Sequence, residues 1–299
     1  MTKKLENKLS GHLNSFKRTL KRKVLPLALA IPLLYSNIGC DLYNHYLNYI
    51  KPNNSQEEEQ IIDKKKKAVI LINTSELDKP EYDSGYSSLR RLYKVLRLNK
   101  VGYNSADIYV LGHDESYTYN DLLYPNFTFE NYKQLTRKNL EDVINEINED
   151  YSEDAFLMIH ILGTSIKEDS NNDGSFDSFS TRFVDEKYYS SEYPDLVYSL
   201  LRNQRRVWLN LDQSYSGFIY NSFDKNKKDN LLILSSSSKE EEINDFSFSY
   251  YIFKLFYSDD KISGKEAYDY LSENMTNSTP HLWYKSTTNP EDFILYKYK

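Results

Sequence analysis

Five short runs of apolar residues occur along the chain, and each has the length of a single β-strand. The runs are AVILIN (68–73), DIYVLG (107–112), AFLMIHILG (155–163), RVWLNL (206–211) and LLILS (231–235). Apolar side chains follow one another in these runs with little polar alternation, which is typical of strands covered on both faces. The pattern therefore predicts five buried strands.

Between these runs, apolar residues recur at helical spacing. Residues 86–99 place Leu89, Leu92, Tyr93 and Leu96 on one face, and 137–147 do the same with Leu140, Val143, Ile144 and Ile147. Thr136 is placed to cap the second of these helices, and Pro194 suits the first turn of a third. Ser263 and Glu266 form a capping box for a fourth.

Strands that alternate with helices predict an α/β fold, in which a mostly parallel sheet is covered on both sides. The expected architecture is a three-layer α/β/α sandwich formed by one domain, residues 68–299. In such sheets, ligand-binding groups gather where the strands end. The strand ends are Asn73-Thr74-Ser75, Gly112-His113-Asp114, Gly163-Thr164-Ser165, Asp212-Gln213-Ser214 and Ser235 to Ser238. This edge, rich in hydroxyl groups, is the predicted binding site.

The N-terminal part has the pattern of a targeting or anchoring segment. Residues 1–23 carry eight Lys or Arg and one acid, and residues 24–40 carry no charge. A basic run before an apolar run matches a signal sequence or a short signal anchor. Cys40 follows Gly39 at the end of the run, where a bacterial lipoprotein would be acylated, and the two alternatives stay open. Both predict a membrane-anchored, extracytoplasmic domain behind a polar linker, residues 41–67.

Charge excludes one class of partner. Residues from 51 onward carry 30 basic and 42 acidic side chains, a net charge of −12. Nucleic-acid binding requires a clustered basic face, so no nucleic-acid partner is expected. The chain contains one cysteine, so it cannot form an internal disulfide.

The fourth strand ends in Asp212-Gln213-Ser214-Tyr215-Ser216-Gly217, and the third in Gly163-Thr164-Ser165. These ends resemble the caspase–legumain clan of cysteine peptidases, in particular the legumain and glycosylphosphatidylinositol-transamidase branch. In that clan the third strand ends in Gly-His-Gly and the fourth in Asp-x-Cys-x-Ser-Gly. The order and spacing of further segments extend the resemblance over about 68–296. It implies a caspase-like sheet with the active site at these two strand ends.

Both catalytic positions of the resemblance are substituted here. Ser214 occupies the position of the family's nucleophilic cysteine, and Thr164 occupies that of its histidine. A serine hydroxyl needs an adjacent base, and threonine cannot accept a proton near neutral pH. The resemblance further implies that Gly163, Asp212, Gln213, Ser235 and Ser236 would bind the ligand.

No other histidine is placed to serve as the base. His160 lies within the third strand, roughly 13 Å below its end, and is expected to be a core residue. In the clan's strand order, His113 would lie three strands away from Ser214, roughly 14 Å distant. The position of His281 does not follow from the pattern.

A second candidate site lies between 169 and 177. The segment DSNNDGSFD places Asp169, Asn171, Asp173 and Asp177 at positions 1, 3, 5 and 9 of a calcium loop. The twelfth position is Ser180 instead of the usual glutamate. This loss of charge favours an acidic surface loop over a calcium site, and calcium is the one cofactor that the sequence suggests.

The leading hypothesis is a membrane-tethered, catalytically inactive peptidase homologue that binds a peptide or protein. One alternative is an active hydrolase or transamidase that acts on peptide bonds with Ser214 as nucleophile. Another is a structural protein of the cell envelope without a functional cleft.

Overall fold

A computed structural model describes residues 67–73, 79–97, 103–113, 119–121, 124–151, 155–201, 205–223, 229–242, 247–258, 261–285, 288–291 and 293–297. The basic segment 1–23, the apolar segment 24–40 with Cys40, and the linker up to residue 66 lie outside the described residues. Within the part that is described, no helix combines the length and hydropathy needed to cross a membrane.

The chain divides into two compact units, 1–60 with 119–127, and 61–118 with 128–299. In the first unit the structure describes a hairpin of β3 (Tyr119–Asp121) and β4 (Tyr124–Phe127), which pair antiparallel. The second unit contains the main sheet.

The main sheet has seven strands in the order β13-β11-β10-β6-β1-β2-β5. Their bounds are β1 Lys67–Asn73, β2 Ile108–Gly112, β5 Asn131–Gln134, β6 Phe156–Gly163, β10 Arg206–Gln213, β11 Leu231–Ser235 and β13 His281–Tyr284. Every neighbouring pair is parallel except β11 and β13. The five predicted strands form the sheet interior, which confirms the predicted α/β fold with a mostly parallel sheet.

Six α-helices lie within the described residues of the second unit. Their bounds are α1 Lys79–Leu96, α2 Arg137–Asp150, α3 Tyr193–Leu200, α4 Ile219–Phe223, α5 Ser247–Ser258 and α6 Gly264–Asn274. The caps are as predicted: the Thr136 hydroxyl accepts from the Asn139 amide, and Ser263 forms a capping box with Glu266. Pro194 lies in the first turn of α3.

Two hydrophobic cores enclose the sheet because alternate side chains of each strand point to opposite faces. On one face, odd-numbered residues of β6 and β10 pack against α2 and α3. On the other face, α5 covers the even-numbered residues, and its Phe256 ring lies 5.7 Å from the ring of Trp208. This second face also carries His160, Asn210 and Asp212, which are polar yet buried.

Short antiparallel strands complete the fold. β7 (Ser165–Glu168), β8 (Ser178–Arg182) and β9 (Lys187–Tyr189) form a sheet that follows β6 directly and precedes α3. β12 (Lys261–Ser263) pairs with β14 (Ile294–Lys297) in a further two-stranded sheet. We call the β7–β8–β9 sheet the lip sheet, because it starts where β6 ends.

Candidate functional site

The two positions that the sequence resemblance matched to a catalytic pair follow neighbouring strands of the sheet. β6 and β10 are adjacent parallel strands, and Gly163 is the register partner of Gln213. Thr164 and Ser214 are the first residues after these two strands. Thr164 is half-buried, whereas Ser214 retains only 3% of its exposure.

Ser214 lies in a tight turn between β10 and a 3₁₀ turn, Ser216–Phe218. Tyr215 adopts a left-handed conformation with φ of 58°, which is unusual for a residue with a large side chain. Two residues later, a Cβ atom on Gly217 would lie 2.8 Å from the backbone nitrogen of Lys239. The close approach of this loop therefore requires glycine at position 217.

Hydrogen bonds from two neighbouring segments hold this turn. The Ser165 hydroxyl donates to the carbonyl of Ser214. The amide of Tyr215 donates to the carbonyl of Glu241 at 2.9 Å, and the amide of Ser216 donates to the Ser237 hydroxyl at 3.0 Å. The turn is therefore anchored to the start of the lip sheet and to the loop after β11.

Three of the predicted ligand-binding residues form hydrogen bonds with other residues in the protein interior. Gln213, Ser235 and Ser236 are completely buried. The Gln213 amide nitrogen donates to the Thr181 hydroxyl at 3.0 Å, and its backbone amide donates to the Ser236 hydroxyl at 3.2 Å. The Ser235 hydroxyl bonds to Tyr220 at 2.7 Å. Ligand binding by these three residues stays a prediction, and in this conformation their side chains secure the turn instead.

The three described histidines contact groups other than the turn. Nε2 of His113 lies 3.2 Å from the carbonyl of Arg182, at the end of a strand three positions from β10. His281 lies on β13 as the register partner of Ser235, and burial lowers the pKa of its imidazole. His160 is completely buried, as expected for a core residue, and bonds to Ser249.

The buried His160 is hydrogen-bonded in a row of three side chains that the sequence pattern does not predict. Nε2 of His160 lies 2.8 Å from the Ser249 hydroxyl. That hydroxyl lies 2.5 Å from Oδ2 of Asp212, which also accepts the Ser249 backbone amide at 2.9 Å. Asp212 thereby caps the N-terminal turn of α5. Burial lowers the pKa of His160 to about 3, so its imidazole is neutral at physiological pH.

A serine hydroxyl between a histidine and a carboxylate contains the groups of a hydrolase triad. Here the serine is in the middle, and both His160 and Ser249 are buried beneath α5. A substrate cannot reach them in this conformation. We therefore assign this chain of bonds to holding α5 on the sheet.

The predicted calcium loop folds back on its own backbone. Oδ2 of Asp169 accepts the amide of Gly174 at 2.8 Å, and Oδ1 of Asp173 accepts that of Ser175 at 2.8 Å. Asp177 accepts from Ser170, whose hydrogen bonds lower the pKa of the carboxyl, and Asn171 accepts from the Asp173 amide at 3.0 Å. Across the described ranges, no three His, Cys, Asp or Glu side chains are grouped so as to hold a metal ion. Calcium binding stays a prediction.

Comparison with known proteins gives a fold and no family. No family model matches the chain, and no curated protein does. Protein GSU0716 from Geobacter sulfurreducens is similar in structure, with a TM-score of 0.53 and 13% identity over 76% of this chain and 96% of that one. A secreted C11 cysteine protease from Bacteroides thetaiotaomicron, "iotapain", gives 0.40 and 13% over 70% of this chain and 61% of the protease. At these identities, the likeness to GSU0716 shows that the two chains share a fold.

Proposed function

We propose that this chain is a membrane-tethered, catalytically inactive homologue of caspase- and legumain-like peptidases that binds a peptide or protein. The observation that carries the inactive part is the environment of Ser214. Ser214 is 3% exposed, and Thr164 directly follows the neighbouring strand β6. A serine as buried as this is closed to a peptide substrate in this conformation, and a threonine hydroxyl cannot act as a general base near neutral pH.

The surface that supports binding is the lip sheet. The large apolar side chains with high exposure in the described residues are Ile166, Phe176, Val184 and Tyr189. All four lie in or between β7, β8 and β9. Ile166 and Tyr189 flank Ser180 in register, so they form a row across one face of the sheet. Clustered exposed apolar groups are typical of binding surfaces.

The lip sheet adjoins the turn that carries Ser214 through Lys167, on the face opposite the row of Ile166 and Tyr189. Nζ of Lys167, on β7, lies 4.7 Å from the centre of the Tyr215 ring and 3.1 Å from Oε2 of Glu240. A peptide bound along Ile166 and Tyr189 would not need the buried Gln213. Tethering is proposed from the basic and apolar N-terminal segments alone.

Catalysis is tested by incubating the purified full-length chain with a peptide library and analysing the products by mass spectrometry. The matched variants are Ser214→Ala and, as a control outside the turn, Ser199→Ala. We expect no cleavage by any of the three proteins. Cleavage that is lost in Ser214→Ala and kept in Ser199→Ala would refute the proposal and favour the hydrolase or transamidase alternative. Labelling of Ser214 by a fluorophosphonate would point the same way.

Binding is tested with the same library immobilised on a surface. Ile166→Ser and Phe176→Ser should weaken the retention of bound peptides, because both side chains are more than half exposed. Tyr257→Ser, which lies in helix α5 and outside the lip sheet, is the control. Equal retention by all variants would exclude the lip sheet as the binding surface and leave the structural alternative.

A further inference from the structure

The sheet face beneath α5 carries a line of buried polar side chains that no proposed function uses. Trp208, Asn210 and Asp212 alternate along β10, so their side chains lie on one face. His160 is the register partner of Asn210 on β6. All four are at most 1% exposed. The contacts of Trp208 with Phe256 and of Asp212 with Ser249 place α5 over this line.

The hydrogen bonds at Ser249 determine the tautomer of His160. The Ser249 hydroxyl has one proton, and Oδ2 of the Asp212 carboxylate can only accept. The hydroxyl therefore donates to Asp212, and Nε2 of His160 must carry a proton to donate to the hydroxyl oxygen. Nδ1 of the neutral ring is then an acceptor facing the interior.

Several atoms of this line have no hydrogen-bond partner among the described residues. They are Nδ1 of His160, Nε1 of Trp208, and both Nδ2 and Oδ1 of Asn210. Buried polar groups are nearly always bonded, to protein or to ordered water, since leaving them unbonded is costly. Two donor groups and two acceptor atoms thus lie on one face of β6 and β10, and Asn210 and His160 are paired there in register.

We propose that this line is a binding site for ordered internal water between β6, β10 and α5. An ion of either sign would satisfy only the donors or only the acceptors, whereas water both donates and accepts. Neighbouring strands lie about 4.8 Å apart, which suits one molecule that bonds to both His160 and Asn210. Such water donates to Nδ1 of His160 and accepts from Nδ2 of Asn210. The site lies in the core and is separate from the proposed binding surface.

Crystal structures of the full-length chain, at a resolution that shows ordered water, test this inference. The expected result is a water within hydrogen-bonding distance of both Nδ1 of His160 and the Asn210 amide. In Asn210→Leu, whose side chain has a similar shape and no polar atom, the bridging water should be lost. Asn221→Leu, the same substitution at an exposed position, should retain it.

Asn210→Ala decides the question if the leucine variant does not fold. Its smaller side chain leaves room, so water should still bond to Nδ1 of His160. The inference is overturned if the wild-type density shows the four polar atoms bonded to protein groups, or packed against carbon with no water. It is also overturned if Asn210→Leu leaves the same water in place.

Discussion

Burial of His160 makes the stability of this fold sensitive to mild acid. The folded protein holds the imidazole pKa near 3, whereas an exposed histidine has a pKa of 6.5. Below pH 6.5 the unfolded chain therefore binds a proton that the folded chain excludes. Since the folded pKa is lowered, the contribution is fully present above pH 6.5 and falls as the pH falls. Each pH unit lowers the free energy of unfolding by about 1.4 kcal/mol, or about 2 kcal/mol between pH 6.5 and pH 5.

Urea unfolding of the full-length chain, followed by the fluorescence of Trp208 and Trp283, measures this change. His160→Gln removes the titrating group and keeps an N–H that can donate to Ser249. The wild-type protein should lose about 2 kcal/mol over this pH interval, and His160→Gln should lose much less. His113→Gln, at the end of β2, is the control and should follow the wild type.

Other titrating groups do not obscure the comparison. Burial also lowers the pKa of His281, which adds to the acid sensitivity, but that residue is present in every variant. Hydrogen bonds lower the pKa of Glu168 and Glu241, whose loss of stability begins only below about pH 4.5. Parallel profiles for the wild type and His160→Gln would refute the reasoning, because they would show that His160 does not titrate as a buried group.

Three further predictions follow from the packing and the caps. Gly217→Ala places a Cβ 2.8 Å from the backbone of the loop after β11, so the free energy of unfolding measured in urea should fall by about 1–3 kcal/mol. An unchanged free energy of unfolding would contradict the close approach. Thr136→Ala removes the cap of α2 and should cost about 1 kcal/mol by the same assay, whereas Thr136→Ser should be nearly neutral. Asp212→Ala should release the start of α5, seen as faster amide hydrogen exchange at Ser249; protection equal to the wild type would exclude the cap.

The long, apolar strands could be predicted from the sequence, because a strand in the interior of a covered sheet is a run of consecutive apolar residues. The lip sheet could not, since β7 (SIKE) and β9 (KYY) have only four and three residues, which is too short for a recognisable strand pattern. The sequence pattern does not predict helix α5 either. Its sequence, SFSYYIFKLFYS, is apolar on most faces and rich in aromatic residues, so helical periodicity is weak.

The candidate site stays a prediction. Strands β6 and β10, which Thr164 and Ser214 directly follow, are neighbours in the sheet and end at paired residues, Gly163 and Gln213. The hydroxyl-rich ends suggested an open binding edge, but Ser235 and Ser236 bond inward. Local sequence gives the residue type at a strand end, and the depth of burial depends on the loop that packs over it. The hydrogen bonds that join His160, Ser249 and Asp212 depend on the position of α5, so the sequence could not predict them.

The anchored turn at Ser214 has a consequence for any attempt to introduce peptidase activity into this chain. Replacing Ser214 with cysteine and Thr164 with histidine would supply both missing groups, yet the thiol would remain shielded from solvent. The bonds from Tyr215 to Glu241 and from Ser216 to Ser237 would first have to open. If the chain is the inactive homologue proposed above, these two substitutions are therefore insufficient to give it activity. We expect the double variant to react with iodoacetamide at position 214 only after denaturation.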